Sequence, residues 1–120
     1  MLLIDANVIL RYLLNDHETM SQQAREVIES GAYTTTEVLA EVVYVLKGVY
    51  KAERTEIQEW LEVLLEELML ENKQSILYAL KVYAETSLDF VDCLLIGYNR
   101  ILGRKVFTFD KKLNRLLTEE

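Results

Sequence analysis

The chain has 120 residues, 51% of them apolar, and a formal net charge of −7. That length suits one domain with a real core, and that composition excludes a disordered polymer. Its longest apolar stretches fall far short of the roughly 18–20 residues that span a bilayer, and no basic leader precedes an apolar run. Cys93 is the only cysteine, cannot form an internal disulfide and reads as an inert core thiol, which suits a reducing cytoplasm.

In chain order, residues 2–5 read as a short buried strand that turns straight into a helix over 6–14. Thr19 or Ser21 is expected to cap a helix ending at Ser30-Gly31, where glycine supplies the usual stop. Ala32-Tyr33-Thr34 reads as a second strand. A helix over Glu37–Tyr50 follows, with Val38, Val42, Val45, Leu46 and Val49 as its apolar stripe. Thr55 is expected to cap the most regular helix, with Ile57, Trp60, Leu61, Leu64, Leu65 and Leu68 at helical spacing. Trp60 reads as core or interface. A strand near Leu68–Leu70 leads to a helix over Lys73–Ala84, and Asp89 opens the next, toward Leu102-Gly103. Val106–Phe109 reads as a final strand before a short basic helix. No proline, linker or repeat marks a boundary, so residues 1–120 read as one domain. Strands alternating with long helices predict an α/β fold, a parallel sheet covered on both faces.

Charge is unevenly spread. Residues 53–71 carry seven glutamates against Arg54 alone, whereas 100–115 carry six basic residues against Asp110 alone. A basic segment can steer a phosphate backbone even on an acidic protein, although it also serves simply to solvate the last helices.

Four acids stand out: Asp5, Glu41, Asp92 and Asp110. Each interrupts or abuts an apolar stretch, where a carboxylate is costly unless a cation or hydrogen bonds compensate it. Four such acids suggest one shared hard cation. Ligands of open parallel sheets bind beyond the carboxyl ends of the strands. Asp5 and Asp110 each follow an expected strand, which would place both at one sheet edge. Glu41 and Asp92 lie near the N-terminal halves of helices that would start from that edge.

Each acid has an ordinary reading too. Asp5, like Asn7, suits a helix cap, and so does Asp110. Glu37 lies one turn before Glu41 and complements its helix dipole, so Glu41, at the edge of the apolar stripe, is the functional choice. Asp89 and Asp92 resemble a capping box, but aspartate is short for reaching back. Asp89 is then the expected cap and a supporting acid, and Asp92 the ligand. Thr108 would share a strand face with Asp110 and could hydrogen-bond it. His17 is the only histidine and reads as exposed, so zinc has no ligand set and oxygen donors point to Mg²⁺ or Mn²⁺. No phosphate-cradling glycine motif is present.

Four segments, in order, resemble the motifs of PIN-domain proteins, and most closely the VapC-type toxin ribonucleases. They are Leu3-Ile4-Asp5-Ala6-Asn7-Val8-Ile9-Leu10, Val38-Leu39-Ala40-Glu41-Val42-Val43-Tyr44-Val45-Leu46, Asp89-Phe90-Val91-Asp92-Cys93-Leu94-Leu95 and Val106-Phe107-Thr108-Phe109-Asp110. Cys93 stands where the family often has alanine. The resemblance implies an α/β/α sandwich with a short parallel sheet and a Mg²⁺- or Mn²⁺-dependent endoribonuclease. Its acids would be Asp5, Glu41, Asp92 and Asp110, with Asn7, Thr108 and Asp89 in support. It also implies an RNA substrate, 5′-phosphate and 3′-hydroxyl products, a small antitoxin partner and a homodimer.

Other readings fare less well. A haloacid-dehalogenase-type phosphotransferase needs an aspartate where Asn7 stands, and a receiver domain needs a phospho-accepting aspartate that is missing. The rival from another class is a catalytically silent PIN-like module that binds RNA or protein.

Overall fold

The short sheet gathers three parallel strands in the order β1-β2-β3, comprising β1 (Leu2–Leu3), β2 (Ala32–Tyr33) and β3 (Leu68–Met69). Leu2 faces Ala32 and Leu3 faces Tyr33, while Ala32 and Tyr33 face Leu68 and Met69. The register is locked past the strand ends. The Ile4 N–H donates to the Tyr33 carbonyl at 2.9 Å, and the Thr34 N–H donates to that of Met69 at 3.0 Å. The buried Thr34 hydroxyl adds a third bond, to the Ile4 carbonyl at 3.1 Å. This is a computed structural model that describes residues 1–119, in two compact units, Met1–Glu71 and Asn72 onward.

The first unit holds the sheet and four helices: α1 (Ala6–Leu14), α2 (Glu18–Glu29), α3 (Thr36–Gly48) and α4 (Arg54–Glu67). Helical spacing of apolar residues supplies its core, in which Ile9, Ile28, Leu39, Leu46, Ile57, Leu61, Leu64 and Leu68 are all fully buried. Polar bonds fix the joints. The Ser21 hydroxyl donates to the Arg11 carbonyl at 2.9 Å, and Arg11 pairs with Asp16 at 2.8 Å. The Tyr12 hydroxyl reaches Glu67 at 2.6 Å, joining α1 to the end of α4.

Two expected caps fall elsewhere. His17, not Thr19 or Ser21, caps α2, its Nδ1 accepting the Met20 N–H at 3.1 Å. Glu53, not Thr55, precedes α4, its N–H donating to the Glu56 carboxylate at 3.0 Å. The expected buried strand over 2–5 is also corrected. β1 lies at the edge of the sheet, leaving Leu2 62% and Leu3 56% exposed, and only Ile4 is buried.

The second unit packs α5 (Lys73–Glu85) against α6 (Phe90–Leu102), with α7 (Lys111–Thr118) following. Gly97 sets the approach of the first pair: a Cβ there would lie 2.3 Å from the Ser75 carbonyl oxygen and 3.6 Å from the Ala79 Cβ. Cys93 is fully buried on the same helix, as expected of a core thiol. Tyr83 and Phe90 meet edge to face at 5.9 Å. Arg100 of α6 ties down the end of α7, donating to the Leu116 carbonyl at 3.0 Å and to that of Glu119.

Val106–Phe109 forms no strand, contrary to expectation. A strand needs a neighbour for its backbone groups, and the second unit has no other strand among the described residues. Phe107 and Phe109 instead stand 84% and 89% exposed, in edge-to-face contact at 5.1 Å. Among the described residues no helix is long and apolar enough to cross a membrane.

Gly97→Ala is expected to lower stability by about 1–3 kcal/mol or more, because the new methyl meets backbone that cannot swing aside. Urea denaturation measures it; Gly48, with open space around it, is the control, and its alanine variant should cost nothing comparable.

Candidate active site

Asp5 and Glu41 belong to the first unit. Asp5 follows the β1 segment and caps α1, its Oδ1 accepting the Val8 N–H at 3.1 Å. The capping role is thus realised, and it engages one carboxylate oxygen. Asn7 is exposed at the second position of α1. Glu41 projects from α3 beside the buried Leu39, Val42 and Val43. It was expected to lie deeper than Glu37, but both are exposed.

The second unit holds the other acids. Asp89 occupies the N-cap position of α6, but its side chain makes no capping bond, so the expected cap is one of position only. The capping box with Asp92 is likewise absent. Asp92 lies in the first turn of α6 and is half-buried. Burial, then repulsion from Asp89 and from Asp110, pushes its pKa above the ordinary carboxylate value. Asp110 caps α7, its Oδ1 accepting the Leu113 N–H at 2.8 Å. Thr108 does not bond the Asp110 carboxylate as expected; its hydroxyl accepts the Asp110 backbone N–H at 3.0 Å. It fixes the peptide from which the acid projects.

The cost assigned to all four acids therefore falls on one. Asp5, Glu41 and Asp110 are exposed, and only Asp92 is withdrawn from water. Apolar neighbours in sequence misled here because they turn to the other side of the helix or cap. Sequence reasoning counted Lys112 only within the basic segment and passed over Ser87, to whose hydroxyl the Lys112 ammonium donates. Ser87 had no signal beyond adjacency, two residues before Asp89, while Lys112 follows two residues after Asp110.

The PIN-domain model matches residues 2–117. The chain belongs to the PIN-domain family. This PIN domain is 32% identical over 124 aligned positions to a VapC ribonuclease of Aquifex aeolicus (strain VF5), covering 97% of the chain and 92% of that relative. No solved structure matches it significantly. The α/β class and the short parallel sheet agree with the family.

A PIN domain implies a divalent cation, and the donors suit one chemically. They are carboxylates, mostly exposed, and Asp92 is repelled by Asp89 and by Asp110. Among the described residues, however, no group of three or more His, Cys, Asp or Glu side chains gathers closely enough to hold an ion.

The strain on Asp92 has a measurable sign. A raised folded pKa means that the ionised carboxylate costs stability at neutral pH and that the cost vanishes as pH falls through the folded pKa. In metal-free buffer, Asp92→Asn is expected to be more stable than the parent protein at neutral pH, and the gain should shrink on acidification. Urea denaturation across that range tests it.

Proposed function

We propose that this PIN domain is an endoribonuclease hydrolysing RNA phosphodiester bonds, acting as the toxin of a toxin–antitoxin pair. The observation that carries the reading is the nearly full-length match to a VapC ribonuclease. The acids Asp5, Glu41, Asp92 and Asp110, at the positions of the family-like motifs, supply the chemistry.

The proposal has a structural part: residues 1–120 act as one domain in which both pairs of acids serve one site. The PIN-domain match over residues 2–117, which runs through both units, supports it.

A bound Mg²⁺ or Mn²⁺ would be held by the four acids, neutralising them toward phosphate and making a water nucleophilic. The remaining work falls to the chain itself. The caps at Val8 and Leu113 hold one oxygen of Asp5 and one of Asp110, which aims the other outward. Thr108 steadies the Asp110 peptide, and Asn7 offers a neutral amide to a phosphate oxygen. Asp89, free of any capping bond, can accept a hydrogen bond in support of Asp92. Cleavage would leave 5′-phosphate and 3′-hydroxyl ends.

The toxin role implies a small antitoxin protein that covers the site, and a cytoplasmic setting. A homodimer would use the α4 face, where the exposed Trp60 and Val63 border a hollow of about 300 Å³ with Tyr12 and Leu13. The alternative is a silent PIN-like module that binds RNA or protein without cleaving it.

Asp5→Asn separates the two readings, because asparagine keeps a capping oxygen while losing the charge. The variant is expected to retain its melting temperature and to lose Mg²⁺-dependent RNA cleavage by about 10²-fold or more. Absence of cleavage by the parent protein across diverse RNAs with either metal would favour the silent module.

A further inference from the structure

Lys112 and Ser87 form a polar bridge in the second unit whose cation is paired with no carboxylate among the described residues. Lys112, on the first turn of α7, donates from its ammonium to the Ser87 hydroxyl in the segment between α5 and α6. Both residues are exposed. Among the described residues no ion pair joins Lys112 to a carboxylate. Arg100, by contrast, is engaged by the carbonyls at the end of α7. The bond to Ser87 leaves the ammonium two further N–H donors and leaves the serine its own O–H, since its oxygen accepts. Three donors, two of them on the cationic ammonium, thus open to solvent at one point. Ser87 leads to Asp89 and Asp92, and Lys112 follows Asp110, so this point borders the acidic group.

We propose that Lys112 and Ser87 form a phosphate-binding subsite that holds a backbone phosphate of single-stranded RNA flanking the one to be cleaved. The inference rests on the ribonuclease reading above. The acids repel every phosphate of the substrate, and a cation at their border offsets that repulsion where no bond is broken. A tethered ammonium is also pre-positioned, so less side-chain freedom is lost on binding than at a free surface lysine. Such a contact reads phosphate and not base, and fixes register without sequence preference. Lys112 is therefore a binding residue. Its loss should raise KM and leave kcat nearly unchanged.

The test uses the full chain in two measurements. First, Mg²⁺-dependent cleavage of an unstructured RNA is followed for the parent protein, Asp92→Asn, Lys112→Met, Lys112→Arg and Ser87→Ala. The expected result is loss of cleavage in Asp92→Asn and a several-fold rise in KM at similar kcat in Lys112→Met. Ser87→Ala should show a smaller rise, and Lys112→Arg should restore most of the affinity. Second, binding of fluorescein-labelled RNA to the Asp92→Asn protein, with and without Lys112→Met, is measured against monovalent salt at fixed Mg²⁺. Removing one phosphate contact should reduce the slope of log affinity against log salt by about 0.7, alike for RNAs of different sequence.

An unchanged slope overturns the subsite, even with weakened binding, because packing damage lowers affinity without releasing counterions. A fall in kcat at constant KM overturns it too. Equal cleavage by the parent protein and Asp92→Asn contradicts the ribonuclease site itself, whatever Lys112 does. Misfolding of Lys112→Met, seen as a lowered melting temperature, passes the decision to Lys112→Arg and Ser87→Ala. Normal KM and salt slope in Ser87→Ala then overturn the proposal.

Discussion

Carboxylates repel, and a protein that assembles several of them must either leave them in water or supply a cation. Here Asp5, Glu41 and Asp110 remain exposed. Asp92 alone is drawn inward, next to Asp89 and Asp110, and holds its proton more tightly in consequence. The proposed metal site draws on that unfavourable crowding. It costs folding free energy and gains nothing structurally, since Asp92 takes no capping bond. A cation would convert the same repulsion into binding energy, which is the usual economy of a nuclease acting on a polyanion.

Within each unit, backbone bonds and close packing position the acids. Asp5 and Asp110 each begin a helix and accept a backbone N–H from its first turn, so one bond both stabilises the helix and orients the acid. α6 carries Asp92, and its position on α5 is fixed by the absence of a side chain at Gly97. A methyl there would move the helix that carries the strained acid. Stability and the candidate site therefore share residues, and a packing change far from any phosphate should be felt in both.

Much of this was legible in the sequence, for identifiable reasons. Apolar residues at helical spacing located α3 and α4, Asp89 marked the start of α6, and glycine marked the ends of α2 and α6. The helix starts at His17 and Glu53 were not legible, because several neighbouring side chains can cap and local geometry selects among them. Burial at Leu2 and Leu3 was misread because an apolar strand looks the same at a sheet edge as at its centre. Val106–Phe109 has every local property of a strand, yet a strand is defined by its partner. The acids were found through their neighbours in sequence, but the direction of each side chain, and so its exposure, depends on helix phase. Gly97 gave no local sign of the close contact that it permits.

The central claim is that acids separated by more than a hundred residues serve one cation. Paramagnetic line broadening by Mn²⁺ tests it most directly, using isotopically labelled protein and amounts of metal well below stoichiometric. The account predicts that amide signals around Asp5, Glu41, Asp92 and Asp110 broaden together, at the same metal concentration, and that Asp92→Asn weakens all four effects. Broadening confined to the neighbourhood of Asp92 and Asp110, with Asp5 and Glu41 untouched, would contradict it.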